Sequence, residues 1–270
     1  GRGIMRISCL QYTAEPDFSL SEARVYPLMQ QAVEAGAQVI LLPECALYLS
    51  TAQCKSRSSA LDQYASEISR FCCFASEHQV TLIIGSLLIR IDEVIKNRTL
   101  VINAAGDIQA NYDKIHLFDV DLPSGERYRE SALIEAGHAP RMTAIADWQV
   151  GLSICFDLRF PGLYRYYALE GAELIVVPAA FTRTTGEAHW HTLLRARAIE
   201  NGCFVAAAGL CGVTLEGRET YGHSIVYDPW GTCIGELGVE PGCLTVDLDQ
   251  SLVKETRLRL PVIVKHREFN

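Results

Sequence analysis

Three reactive side chains stand where apolar runs end. Glu44 follows Val-Ile-Leu-Leu-Pro at 39–43 and is succeeded by Cys45, Ala46 and Leu47. Lys114 follows the run 108–112 within Tyr-Asp-Lys-Ile-His-Leu-Phe, and Cys155 follows Val-Gly-Leu-Ser-Ile at 150–154 and precedes Phe-Asp-Leu-Arg-Phe-Pro. Partial burial at a strand end is expected to raise the pKa of Glu44 toward the range of a general base. A thiol at the C-terminal end of a strand, just before a turn into a helix, reaches the sheet edge where α/β proteins bind ligands. Beside a lysine or a helix N-terminus such a thiol ionises more readily, which makes Cys155 a candidate nucleophile. Taken one at a time, each residue also has a plainer reading: an exposed strand-end glutamate, a solvated edge lysine and a packed thiol. Together, in the order Glu, Lys, Cys and each at a strand end, they point to covalent chemistry at sulfur.

The elements that must position these residues alternate along the chain. Strands are expected at 6–11, 39–42, 81–88, 99–103, 108–112, 150–154, 174–177, 204–208, 224–227 and 232–236, and helices near 21–35, 60–77, 163–169, 185–201 and 251–258. The 185–201 helix carries a capping-box signature, Thr184 with Glu187, and Gly202 as a left-handed stop. Pro27 removes an amide donor, so the first helix either kinks there or begins near it. Turns at 105–107 and 228–231 carry the Gly or Pro that tight reversals need. Residues 34–43 align without gaps to residues 169–178, Glu-Ala-Gly-Ala-Gln-Val-Ile-Leu-Leu-Pro against Leu-Glu-Gly-Ala-Glu-Leu-Ile-Val-Val-Pro. Each copy reads as a helix stopped by Gly, a strand buried on both faces, and a Pro. Two halves built on such a unit would pack sheet against sheet with helices outside, an α/β fold in the form of a four-layer α-β-β-α sandwich.

Composition narrows the partners. Of 270 residues, 49 % are hydrophobic and 21 % charged, which excludes disorder. No linker or charge block divides the chain, so residues 5–270 read as one domain, with residues 1–4 as an added remnant before an initiator at Met5. A net charge of −8 and a pI of about 5.4 argue against duplex nucleic acid or an anionic membrane, both of which select clustered Lys and Arg. No apolar run approaches the ~18 residues of a membrane span, and without an apolar signal core a cytoplasmic location is expected. The ten cysteines form no C-x-x-C pair and no zinc-ligand spacing, so free, mostly buried thiols and no metal site are expected. Nucleotide-loop and zinc-protease motifs are absent from the sequence. Asn97-Arg98-Thr99 matches the glycosylation triplet and, lacking a secretion signal, is read as chance.

The stretches around Glu44, Lys114 and Cys155 recur in order with Arg-Glu130-Ser, His189-Trp190, Tyr-Gly-His-Ser and Asp-Pro-Trp-Gly. In them the sequence resembles the nitrilase superfamily of carbon–nitrogen hydrolases, from Met5 to about Phe269. The resemblance implies a triad of Glu44, Lys114 and Cys155, with Glu130 as a second glutamate that holds Lys114. It implies amide hydrolysis without a metal or organic cofactor. Cys155 would attack the amide carbon, and Glu44 would pass the proton to the leaving ammonia and then activate water against a thioester. Lys114 and the backbone amide of Phe156 would stabilise the oxyanion. Arg159, His189 and Trp190 are expected near the substrate, Arg159 either gripping it or pairing with an internal carboxylate.

One departure is Gly162, where the family usually has Glu after Phe-Pro; it loosens the start of the next helix. Within the superfamily the chain resembles the Nit branch, whose members hydrolyse side-chain amides of α-keto acids. Leu-Arg-Ala-Arg-Ala-Ile-Glu and the Tyr-Gly-His-Ser stretch favour a deaminated-glutathione amidase activity over an ω-amidase one. The implied partner is a small-molecule amide, with no nucleic acid and no membrane. The implied assembly is a homodimer or higher homo-oligomer, with Trp190 or Phe269 as interface contributors. A Cys-His-Glu hydrolase using His189 or His223 would want a glycine-flanked elbow, and Ser153 and Asp157 occupy those positions. A silent carbonyl-binding homologue would not need all three reactive side chains. His116 is expected to face away from Lys114, and His78, His138 and His266 carry no assigned role.

Overall fold

Apolar side chains alternate between the two faces of the central strands, and this decides how the layers stack. In the computed structural model, which describes residues 3–270, Leu174 and Val176 enter one core while Ile175 and Val177 enter another. The first sheet orders its strands Gly242–Asp249, Ile4–Gln11, Val39–Leu41, Thr81–Ile91, Val94–Ile102 and Ile108–Asp113, with the short Leu61–Asp62 beside Thr81–Ile91. The second runs Met142–Ile145, Trp148–Leu152, Leu174–Ala179, Phe204–Gly209, Ile225–Tyr227 and Cys233–Glu236. In each sheet a parallel trio is flanked by one antiparallel strand on one side and two on the other. The two Pro-ended strands of the repeat, Val39–Leu41 and Leu174–Ala179, sit at the centre of their trios.

Met5, Ile7, Leu41 and Ile83 meet Leu152, Val176 and Phe204 in the core between the sheets. Helices Phe18–Glu34 and Ser66–His78 cover the first sheet through Val25, Met29, Ile68 and Phe71. Helices Pro161–Leu169 and His191–Asn201 cover the second through Tyr164, Tyr167, Leu194 and Ala198. The layers are therefore α-β-β-α, as the repeat implied. Each large apolar side chain buried this way contributes about 1.5–3 kcal/mol, so packing rather than helix propensity fixes them.

Local details differ from the sequence reading. The first helix starts at Phe18, where Asp17 Oδ1 accepts the Leu20 amide at 2.9 Å, and contains Pro27. A start near Pro27 is thus overturned: that residue lies inside the helix, on its exposed face. The 185–201 element is not one α-helix. Arg183–Thr185 forms a short α-helical turn, Gly186–Trp190 is π-helical, and His191–Asn201 is α-helical again, closing at Gly202 with φ 57°. No capping box forms, because Glu187 accepts from Arg183 Nε at 2.9 Å instead. Helix Pro161–Leu169 starts with Pro161 in its first turn, and a Cβ at Gly162 would meet nothing within 4 Å. Two short hairpins, Asp119–Asp121 with Arg127–Arg129 and Cys211–Val213 with Glu219–Tyr221, were not legible as alternating runs. Of the residues read as a remnant, Gly1 and Arg2 lie outside the described residues, and Ile4 begins the first strand opposite Asp249. Among the described residues no helix is long and apolar enough to cross a membrane.

Gly85 lies where the pairing of Thr81–Ile91 with Val94–Ile102 slips, between Ile84 and Leu87. A Cβ there would overlap the carbonyl oxygens of Leu42 and Pro43 and the ring of Pro178, so both strand ends of the repeat close onto one bare backbone. Gly85→Ala is expected to cost at least about 2 kcal/mol of stability, read as a lower urea midpoint with unchanged slope. A midpoint equal to the parent's would mean that the strand ends separate without cost.

Candidate active site

The strand ends that carry the three reactive residues converge from both sheets. Glu44 leaves the first sheet after Pro43, Lys114 directly follows Ile108–Asp113, and Cys155 opens a 3-10 turn, Cys155–Arg159, beyond Trp148–Leu152. All are shielded from water, with exposures of 5 % for Glu44, 2 % for Lys114 and 7 % for Cys155. Lys114 Nζ donates to Glu44 Oε2 and to Glu130 Oε1, each at 2.9 Å. Glu44 Oε1 accepts the Ala180 amide at 3.0 Å, and Glu130 Oε1 accepts the Phe118 amide at 2.7 Å. Asn97 Nδ2 links the two carboxylates, 2.9 Å from Glu44 Oε2 and 3.0 Å from Glu130 Oε2. An ammonium has three donors, so the two carboxylates leave Lys114 one proton for a further acceptor.

These contacts set the ionisation states, and twice they reverse the expectation from sequence. Burial opposes a charge on Glu44, yet the Lys114 ammonium, the Ala180 amide and the Cys155 thiol together hold its carboxyl below the ordinary value. The sign differs from that expected for burial alone because the partner is charged and within hydrogen-bond distance. Burial pushes the Cys155 thiol well up, the Glu44 charge adds to this, and Lys114 only partly offsets them. The resting sulfur is therefore a thiol facing the Glu44 charge, not the ready thiolate expected beside a lysine. Burial also opposes the ammonium of Lys114, but Glu130 and Glu44 outweigh it and raise its pKa.

Cys155 has φ 46°, a left-handed conformation costing a residue with a side chain on the order of 1–2 kcal/mol. A strained elbow thus forms without flanking glycines, so their absence at 153 and 157 is no argument against one. Asp157, fully buried, holds the turn. Its Oδ2 accepts the Ile154 amide at 2.9 Å and the Tyr112 hydroxyl at 2.6 Å, and its Oδ1 accepts the His116 amide at 3.1 Å. This carboxylate ties the cysteine turn to the segment that carries Lys114. The His116 ring lies 2.7 Å from Asp157 Oδ1 and stacks on Phe160 at 3.7 Å.

A cavity of about 420 Å³ opens onto Glu44, Lys114, Glu130 and Cys155, within the usual range for small-molecule sites. Tyr48, Phe118 and Ile134 supply apolar wall, and the two short hairpins contribute Tyr128 and Arg218. Phe156 follows Cys155, and its ring packs edge-on against Phe118 and Phe160 at 5.2 and 5.4 Å. Arg159 finds no internal carboxylate among the described residues; its guanidinium meets His189 Nδ1 at 3.2 Å and lies 5.4 Å over Phe181. The cavity-lining positions expected of Arg159, His189 and Trp190 are not realised. Trp190 is fully buried, donates to the His223 carbonyl at 2.9 Å and lies 4.8 Å from Phe181, which also removes it from any interface. His189 projects outward from the π-helical turn, and neither it nor His223, whose Nδ1 sits 2.7 Å from the Tyr221 carbonyl, lines the cavity. All ten cysteines are free.

Asn97 is the position of the site that the sequence reading missed. It is 1 % exposed, which removes it as a glycosylation acceptor in the folded protein. Its signal was present: Ile95, Asn97, Thr99 and Val101 form the buried face of one strand, and a polar side chain on such a face must find partners.

Two stacked sheets whose strand ends bring Glu, Lys and Cys together define a carbon–nitrogen hydrolase. The Carbon-nitrogen hydrolase family model matches residues 6–258, and the chain belongs to that family, within the nitrilase superfamily. It is 37 % identical over 268 residues to deaminated glutathione amidase of Synechocystis sp. PCC 6803, covering 97 % of each chain. It is 32 % identical over 262 residues to omega-amidase NIT2 of Xenopus tropicalis, covering 95 % of this chain and 93 % of that one. The crystal structure of the Caenorhabditis elegans NitFhit protein matches with a TM-score of 0.89 at 32 % identity over 98 % of this chain, which spans 65 % of that longer protein.

With Glu44 held below its ordinary value of 4.5 and Cys155 above its ordinary 9.0, the charge state of the set is expected to be constant between them. The depressed pKa of Glu44 contributes stability that is present above its unfolded value and lost as pH falls through the folded one. The raised pKa of Lys114 contributes stability present below its unfolded value and lost as pH rises through the folded one. Subtracting the ultraviolet titration of Cys155→Ala from the parent's is expected to reveal no thiolate before pH 9.0. A thiolate step near about pH 7 would contradict the protonated resting thiol.

Proposed function

We propose that residues 5–270 act as one cysteine-dependent amidase domain that hydrolyses the side-chain amide of a small α-keto acid through a thioester. The observation that carries this reading is the buried Lys114 ammonium, held at 2.9 Å by both Glu44 and Glu130 beside the Cys155 elbow and open to a cavity. Sulfur attacks the amide carbon as its proton passes to Glu44, so no free thiolate need accumulate. The carbonyl oxygen gains the negative charge, which the spare proton of Lys114 and the Phe156 amide stabilise. Glu44 then gives the proton to the leaving nitrogen, the C–N bond breaks, and the amine departs from a thioester. A water molecule, losing its proton to Glu44, adds to the thioester; the acid leaves and the proton returns to sulfur. Glu130 positions Lys114, and Asn97 fixes the spacing of the two carboxylates. Metal and organic cofactors play no part in this scheme.

The deaminated-glutathione type of amide is the first substrate reading, supported by the Synechocystis relative at 37 % identity. The ω-amidase reading, on 2-oxoglutaramate or 2-oxosuccinamate, is kept as the second because the relative named omega-amidase NIT2 matches at 32 % over most of both chains. A homodimer or higher oligomer is supported by exposed apolar side chains late in the chain, Leu258, Val264 and Phe269. A cytoplasmic location is supported by ten unpaired thiols, which suit a reducing compartment.

Cys155→Ala is expected to fold normally and to release no amine from α-keto-acid amides, whereas the parent forms a thioester that hydroxylamine intercepts as a hydroxamate. Unchanged turnover in that variant would remove the nucleophile. Lys114→Arg keeps a charge but replaces a compact ammonium with a longer planar group. It is expected to lose at least about 100-fold in kcat, the usual cost of misplacing one oxyanion donor. A kcat within about tenfold of the parent's at saturating substrate would remove Lys114 from the oxyanion site.

A further inference from the structure

Every basic side chain lining the cavity has an acidic partner except one. Lys114 has Glu44 and Glu130, Arg129 donates to Asp121 at 2.9 Å, and Arg127 lies 3.7 Å from the same Asp121. Arg218 has no carboxylate within 4.0 Å among the described residues, and its Nε is buried with no hydrogen-bond partner. Its position is nevertheless built. The guanidinium lies 5.5 Å over the Tyr128 ring, whose hydroxyl donates to Glu126 Oε2 at 2.7 Å.

The turn that presents Arg218 is clamped to the cavity rim. Glu216 Oε1 accepts the Ser50 hydroxyl at 2.8 Å and the Thr51 amide at 3.0 Å, and its Oε2 takes Lys55 Nζ at 2.9 Å. Arg218 N donates to Thr214 Oγ1 at 3.0 Å, which closes the turn on itself. A planar cation stacked on a tyrosine, pinned at its backbone and left without a counter-ion is arranged to receive a planar anion in bidentate fashion. The rest of the lining favours a monoanion: Glu44, Glu126 and Glu130 also face the cavity and would repel a doubly charged group.

We infer that Arg218 binds a carboxylate of the substrate, remote from the bond that is broken, and so makes the enzyme selective for acidic amides over neutral amides of equal length. This rests on the amidase reading, whose α-keto-acid amides carry such a carboxylate, and assigns its recognition to Arg218. The selectivity comes from leaving Arg218 unmatched when the carboxylate is missing, since a buried donor without a partner penalises the neutral amide.

The test uses the full chain and three probes: glutaramate, with the carboxylate on the acyl side; N-pentanoylglycine, with it on the amine side; and neutral pentanamide. Binding is measured by calorimetry in a Cys155→Ala background, with Arg218 intact, as Arg218→Gln and as Arg218→Lys. Arg218→Gln is expected to weaken one of the two acidic probes by roughly 10- to 100-fold and to leave pentanamide unchanged, with Arg218→Lys restoring part of the loss. Which acidic probe responds identifies the side of the amide that faces Arg218. Equal loss for all three probes would assign Arg218 a structural role, and no loss for either acidic probe would show that it binds no carboxylate; either result overturns the inference. Turnover by the parent is scored separately. If no amide is hydrolysed the amidase reading falls, while the binding measurements still decide whether Arg218 recognises a carboxylate.

Discussion

Lys114 places a full positive charge where water is nearly excluded, and its ammonium is tolerable there only because two carboxylates meet it at 2.9 Å. Removing an ion from water costs several kcal/mol even after relaxation, and the mutual attraction offsets that only when the remaining lone pairs are also satisfied. Here they are satisfied from four directions: the Ala180 amide, the Phe118 amide, Asn97 Nδ2 and Lys114 itself. The donors come from three segments: the end of Leu174–Ala179, the strand Val94–Ile102 and the stretch 114–118. The charge cluster therefore forms only when both sheets are stacked and the 114–130 segment has folded back, so assembly of the site and completion of the fold are one event.

The same cluster explains why the sulfur rests as a thiol. A lysine beside a cysteine ordinarily favours thiolate, but Lys114 is already committed to Glu44 and Glu130, and Cys155 faces the nearer of those charges. An electrostatic field that stabilises a thiolate at rest would stabilise it less as it attacks. In the proposed scheme, keeping the proton on sulfur until Glu44 takes it reserves the ammonium for the oxygen that becomes charged. The left-handed turn at Cys155 and the four contacts to Asp157 hold that geometry without help from substrate.

Much of this was legible in sequence because the signals were local. The gapless match of residues 34–43 to 169–178 gave the paired sheets, since a strand buried on both faces must be covered twice. Glu44, Lys114 and Cys155 stood out because a polar residue closing an apolar strand has few reasons to be there. What was not legible depended on distant partners. The pKa direction of Glu44 turned on the Lys114 charge that outweighs its burial, and that of Cys155 on a burial that Lys114 only partly offsets. Trp190 was expected near the substrate from the resemblance, and in the structure it closes the π-helical turn Gly186–Trp190 and is buried in the core. The hairpin that presents Arg218 is too short and too exposed to leave a hydrophobic period.

In the internal repeat, the residue after the proline is Glu44 in one copy and Ala179 in the other, and the amide of Ala180 next door donates to Glu44 at 3.0 Å. Equivalent strand ends thus face one another across the molecule with opposite duties, one carrying the charge and the other solvating it. Two identical halves could not do this: each would present a glutamate to the other, and two carboxylates at such range cannot both ionise. A duplicated architecture supplies the meeting point, but the chemistry begins only where the copies cease to agree. Symmetry in the scaffold and asymmetry at a single position are therefore both requirements of the proposed reaction, and on that scheme an engineered chain that restored the symmetry there would keep the sandwich while silencing it.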